Sequence, residues 1–144
     1  MKPTRFSIAV VLANPKNEKE ILVVKRPADD DSLPSVWGLP AVTINDDKLP
    51  EEAVRRAGVE KLSTTIEPLS FIGIKRIDRG DYELILMDIK AKLTGIEPSV
   101  INSKTKNTKY VDQQWTSNYS ILKEAASKGS LCAQLFLESQ KITY

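Results

Sequence analysis

Trp37–Ser63 reads WGLPAVTINDDKLPEEAVRRAGVEKLS, and its character changes twice, from turn to loop to helix. Trp37-Gly38-Leu39-Pro40 sets the turn, because Pro40 disfavours the right-handed helical region at Leu39 and keeps that residue extended. Thr43-Ile44-Asn45-Asp46-Asp47 follows as a loop of residues that bond to their own backbone. From Lys48 onward the sequence predicts a charged helix, with Pro50 in the first turn where a missing N–H costs nothing. Asp47 is the expected N-cap, its carboxylate accepting one of the orphan N–H groups that begin a helix. Lys48, Glu52, Arg56 and Glu60 recur every four residues and form one stripe of alternating sign. Each neighbouring pair is worth roughly 0.2–0.5 kcal/mol. Leu49, Ala53, Val54, Ala57 and Leu62 supply the apolar side, and Gly58 permits close approach to a sheet at about 1 kcal/mol relative to alanine.

Upstream of this stretch, Arg5–Leu12 (RFSIAVVL) and Ile21–Arg26 (ILVVKR) predict a hairpin closed by the turn Ala13–Glu18. Asp29, Asp30 and Asp31 lie in a polar loop without the turn glycine or spaced ligands of a cation site. Downstream, Ile66–Ile77 and Asp81–Leu93 predict two longer strands joined at Asp78-Arg79-Gly80-Asp81, with Gly80 available for a positive φ. In the second of these strands, alternation puts Ile85, Met87 and Ile89 on the apolar face and Leu84, Leu86, Asp88 and Lys90 on the other. Thr94–Lys109 reads as a polar loop carrying Lys104, Lys106 and Lys109, and Tyr110–Trp115 as a short last strand. Ser120–Ala126 predicts a helix stopped at Gly129, and Ser130 caps a second helix whose apolar set includes Cys132. No repeat or boundary interrupts this order, and the expectation is one α+β domain over residues 1–144.

The totals exclude more than they assign. There is no histidine, so Ser-His-Asp and Cys-His catalysis, His-containing zinc sites and imidazole acid–base chemistry are ruled out. A net charge of +2 gives no electrostatic reason to expect nucleic acid or a membrane surface as partner. No apolar run approaches the ~20 residues of a span. The first residues lack the apolar core of a signal peptide. The lone Cys132 cannot close an internal disulfide, which points to a reducing, cytoplasmic setting.

The order of hairpin, W-x-x-P turn, loop, charged helix, hairpin, strand and C-terminal helix resembles the Nudix hydrolase family, over Arg5 to Leu137. That family's signature is G-x5-E-x7-R-E-U-x-E-E-x-G-U, with U a bulky aliphatic residue. With the family proline on Pro40, Arg56 falls on the signature arginine and Glu60 on the first residue of the glutamate pair. Arg26 looks like the basic residue that often closes the second strand. The departures are as informative as the matches. Ala41 and Val42 replace the turn glycines, and Lys48 replaces the first glutamate. Ala57 and Gly58 replace the glutamate and aliphatic residue after the arginine. Lys61 replaces the second glutamate of the pair, and Ser63 the last glycine.

The resemblance implies an α/β/α sandwich with a mixed sheet, and hydrolysis of nucleoside diphosphates linked to another group, with Mg²⁺ on helix carboxylates. On that reading Glu60 and Arg56 are the catalytic candidates, Glu60 and Glu52 the metal ligands, and Arg26, Lys48 and Lys61 the substrate contacts. Glu51, Glu83, Asp88 and Asp112 are further carboxylates that could complete a metal shell. The replaced carboxylates imply weak or altered activity, because a hard divalent ion needs several oxygen ligands. Three readings of the helix stay open: a salt-bridged surface helix, a metal site at Glu60, and phosphate binding without metal by Lys48, Arg56 or Lys61. The corresponding functions are an altered hydrolase and an inactive module that binds a phosphorylated nucleotide or a protein. A homodimer is also left open.

Overall fold

The computed structural model describes residues 1–144 except Asp46, Lys48 and Lys106. The expected hairpin is β1 (Thr4–Asn14) and β2 (Asn17–Lys25), antiparallel, with a register shift at Ala13/Asn14. The Asn14 side chain closes the turn by accepting the Lys16 N–H at 3.0 Å. The Trp37–Pro40 turn is bracketed by two short strands, β3 (Trp37–Gly38) on β2 and β4 (Ala41–Thr43) on β1. Helix α1 spans Pro50–Leu62. Strands β5 (Ile66–Asp78) and β6 (Glu83–Leu93) form the second hairpin, and Gly80 takes φ +94° in its turn. β7 (Asp112–Thr116) returns to pair with β2. A 3-10 turn at Tyr119–Leu122 leads into α2 (Lys123–Ser127) and α3 (Leu131–Ser139).

These strands make one seven-stranded sheet in the order β3-β2-β1-β6-β5, with β4 on β1 and β7 on β2. It is mixed, because β1 and β6 run parallel while the other pairs are antiparallel. Successive side chains of β1 feed opposite faces. Ile8, Val10 and Leu12 pack with Ala53, Val54, Ala57 and Leu62 of α1. Ala9 and Val11 pack with the C-terminal helices through Leu122, Leu131, Phe136 and Leu137. One sheet between two helical layers is the expected α/β/α sandwich of the α+β class. No helix among the described residues is long and apolar enough to cross a membrane.

Gly58 explains how α1 lies so close to the sheet, since a Cβ there would stand 2.8 Å from Ile66 Cγ1. Ser130 caps α3 as expected, its side chain accepting from the Ala133 N–H. Two expectations need correcting. The N-cap of α1 is Leu49, with no side-chain cap bond, because the Asp47 carboxylate is taken by Arg56. The second face of β6, for which Leu84 and Leu86 suggest only partial burial, is more deeply covered than expected: Leu86 and Asp88 are buried, because α3 packs on that face.

Candidate functional site

Helix α1 turns Arg56, Glu60 and Lys61 toward a cleft that crosses β4 and reaches the sheet floor at Leu84 and Leu86. The cleft holds about 260 Å³ and is also lined by Arg5, Arg26, Tyr82 and Tyr110. A second compartment of about 330 Å³ shares Arg26, Ala41, Tyr82, Leu84 and Leu86 with it, and adds Arg79, Lys128 and Ser130. The two spaces adjoin along these five shared residues. The described walls of this two-compartment groove carry six cationic side chains and one acidic one, Glu60. A larger hollow of about 720 Å³ lies beside the C-terminal turn of α1, lined by Val59, Glu60, Thr64, Asn102 and Lys104 among others. With one cation against one carboxylate and no aromatic ring among its described residues, that hollow has less to offer an anionic ligand.

Arg56 is the most engaged residue of the site. Its guanidinium donates to Asp47 (2.9 Å), to Glu60 (3.0 Å) and to the Thr43 carbonyl (2.5 Å). It therefore ties the β4–α1 loop to the helix and occupies both nearby carboxylates. The Arg56 hydrogen bond holds the Asp47 carboxyl below its ordinary pKa. Arg26 is held in the same way, its Nη1 donating to both Asp30 oxygens at 3.2 Å.

Lys61, one of the expected substrate contacts, is 4% exposed. Its ammonium donates to the carbonyls of Asn107 and Thr108 (3.1 Å to the latter) and lies 5.6 Å from the Tyr110 ring centroid. Burial pushes its pKa down to about 8; Glu60 opposes that shift, while Arg26 and Arg56 add to it. A buried ammonium needs such carbonyl partners, because an unpaired charge in a dry site is costly. Ser103 adds a second tie, its hydroxyl donating to the Glu60 carbonyl at 2.5 Å. Ser103, Asn107 and Thr108 are thus fastened to the end of α1. Tyr110 fastens the other side, where its hydroxyl accepts the Ala41 N–H at 3.0 Å.

The structure brings Arg26, Arg56, Glu60 and Lys61 to one cleft. Lys48 lies outside the described residues. Glu52 is exposed on α1 and absent from the described cleft walls. The carboxylates that could complete a metal shell are dispersed. Glu83 is paired with Arg76 at 2.6 Å, and Asp112 accepts from the Gln113 N–H at 2.8 Å. Glu51 edges an apolar groove beside β5. Asp88 is sealed from solvent, and neither carboxyl oxygen has a hydrogen-bond partner. Burial pushes its pKa up to about 9, so it stands protonated at neutral pH. Among the described residues no group of three or more His, Cys, Asp or Glu side chains could hold a metal ion. Ala57 brings no donor, Lys61 brings a positive charge, and Glu60 is already bonded to Arg56. This donor set does not fit Mg²⁺, which binds through carboxylate oxygens in near-octahedral geometry.

Residue spacing did not single out Arg5, Arg79 or Tyr82. Arg5 lies over the Tyr82 ring at 4.1 Å from its centroid. The available signal was register: β1 and β6 run parallel with Arg5 opposite Leu84, which puts Arg5 on the face of the cleft floor.

Comparison with known proteins gives the family. The sequence matches the NUDIX domain over residues 3–124. No curated protein matches the chain by sequence. Among solved structures, the chain is similar to a MutT protein from Methanosarcina mazei Go1, with a TM-score of 0.69, 18% identity, and 97% and 95% of the two chains covered. A NUDIX hydrolase from Nitrosomonas europaea superposes with a TM-score of 0.68 at 16% identity, covering 97% and 89%. An ADP-ribose pyrophosphatase from Streptococcus suis 89-1591 follows at 0.61 and 17%, covering 97% and 94%. These likenesses agree in fold, and the sequence match spans most of the chain: it belongs to the NUDIX domain family.

Proposed function

We propose that this chain binds a small phosphorylated nucleotide in the groove between α1 and the β5–β6 turn, and neutralises the phosphates with its own cations. The observation that carries this reading is Lys61. A buried ammonium occupies the position at which the family signature places a glutamate, and Ala57 leaves the other expected carboxylate position empty of donors. Phosphate oxygens are bound well by charge-assisted hydrogen bonds from Arg and Lys. Arg26 and Arg56, each held by carboxylates, line the same wall in fixed positions. The named neighbours support a nucleotide as the ligand class, since one of them is called an ADP-ribose pyrophosphatase.

A second reading rests on one specific observation. The Glu60 side chain is 43% exposed on the cleft wall, where it could serve a residual hydrolase. Turnover separates the two. Incubation with ADP-ribose, nucleotide sugars and dinucleoside polyphosphates in Mg²⁺ or Mn²⁺ is expected to release no nucleoside monophosphate. Release that is abolished by Glu60→Gln would replace the binding reading with the hydrolase.

A further inference from the structure

Six arginines occur in the chain, and four of them hold carboxylates: Arg26 with Asp30, Arg55 with Glu67, Arg56 with Asp47 and Glu60, Arg76 with Glu83. The other two, Arg5 and Arg79, have no ion-pair partner among the described residues. Both line the groove, one in each compartment, and Tyr82 lines both compartments between them. Arg5 is stacked on the Tyr82 ring at 4.1 Å. Arg79 is anchored on the same turn, its peptide N–H donating to the Tyr82 carbonyl at 2.9 Å. Its Nη2 donates to the Gly129 carbonyl at 2.9 Å. Each guanidinium is therefore positioned by one or two contacts while most of its five donors remain available for an anion.

We infer that Arg5 and Arg79, on the two sides of Tyr82, extend the anion-binding wall of the groove from the Arg56 and Lys61 compartment into the second one, and that the ligand is a nucleotide with phosphates at two positions. This inference rests on the nucleotide-binding reading above and sharpens its ligand class. A ligand with a single phosphate group, held in the first compartment, would leave Arg79 in the second without an anion. A second phosphate on the ribose would reach toward the Tyr82 turn while the sugar and base lie over the apolar floor at Leu84 and Leu86. Arginine suits this role because its planar fork matches phosphate oxygens two at a time.

The test is calorimetric titration in EDTA with AMP and with adenosine 3′,5′-bisphosphate, for the parent chain and for Arg5→Gln, Arg79→Gln and Arg79→Lys. The parent is expected to bind the bisphosphate at least about tenfold more tightly than AMP. Each glutamine variant should lose most of that gain, its ratio of bisphosphate to AMP affinity falling toward one, while Arg79→Lys should retain part of the gain. Equal affinity of the parent for the two nucleotides overturns the inference and leaves the nucleotide-binding reading intact. So does a gain that survives both glutamine substitutions. Failure of both nucleotides to bind overturns both readings. Unchanged melting temperatures for the variants confirm that the comparison is between folded proteins.

Discussion

At the residue scale, Lys61 gives the cleft a buried positive charge. Lys61 places a positive charge at the position the signature gives to a glutamate, and the fold accommodates it with two backbone carbonyls and a tyrosine ring. Its pKa of about 8 has a consequence for binding. Below that value the ammonium is charged and attracts phosphate, and above it the attraction is lost. Nucleotide affinity should therefore fall on the order of tenfold as pH rises from roughly 7 to roughly 9. The groups facing Lys61 are Glu60, Arg26, Arg56 and Tyr110; hydrogen bonding to Asp47 pushes Arg56 up and burial pushes Tyr110 up, both away from this window. Lys61→Met should bind weakly at both pH values and lose the dependence, as read by fluorescence or calorimetric titration. A parent chain whose affinity is flat across the window would contradict the role given to this ammonium.

At the scale of elements, the interplay of α3 with the sheet was the hardest part to read from sequence. The two hairpins, the α1 helix, the Gly80 turn and the Ser130 cap were all legible, because each depends on residues within a few positions of one another. Asp88 was not. Strand alternation placed it correctly opposite Ile89, but only the docking of α3 decides that both faces at this point are dry. Asp47 misled for a related reason. A local cap was expected, and a longer-range partner nine residues away, Arg56, took the carboxylate. The burial of Lys61 was not legible for the same cause, since its carbonyl partners lie 46 and 47 residues further along. The Asp88 carboxyl, with its pKa raised to about 9, leads to a linkage prediction. The folded state keeps a proton that the unfolded chain releases above the ordinary carboxylate pKa. The contribution of this group to stability is thus complete below about pH 4 and is lost progressively as pH rises toward 9. Asp88→Asn removes that loss. The stability difference between variant and parent should shift in favour of the variant by roughly 1 kcal/mol per pH unit between about pH 4 and 8. Urea unfolding at several pH values measures it, and parallel profiles would show that Asp88 is not buried as a neutral acid.

At the scale of the whole molecule, a family fold carries a groove lined mainly by cations. The sandwich is intact, the W-x-x-P turn and α1 sit where the family layout predicts, and the groove opens between α1 and the β5–β6 turn. That groove gathers arginines and lysines around an aromatic turn, with Glu60 its one described acidic side chain. The sequence carried half of this: Ala57 and Lys61 were visible as departures from the signature. The contribution of Arg5, Arg79 and Tyr82 was not, because only the parallel pairing of β1 with β6 and the turn after β5 bring them to one wall. The central claim is that the protein's own cations stand in for the metal in holding phosphate. Calorimetric titration with ADP, once in EDTA and once in excess MgCl₂, tests it most directly. The account predicts saturable binding in both, with affinities within about twofold. Binding that requires Mg²⁺ and vanishes in EDTA would contradict it.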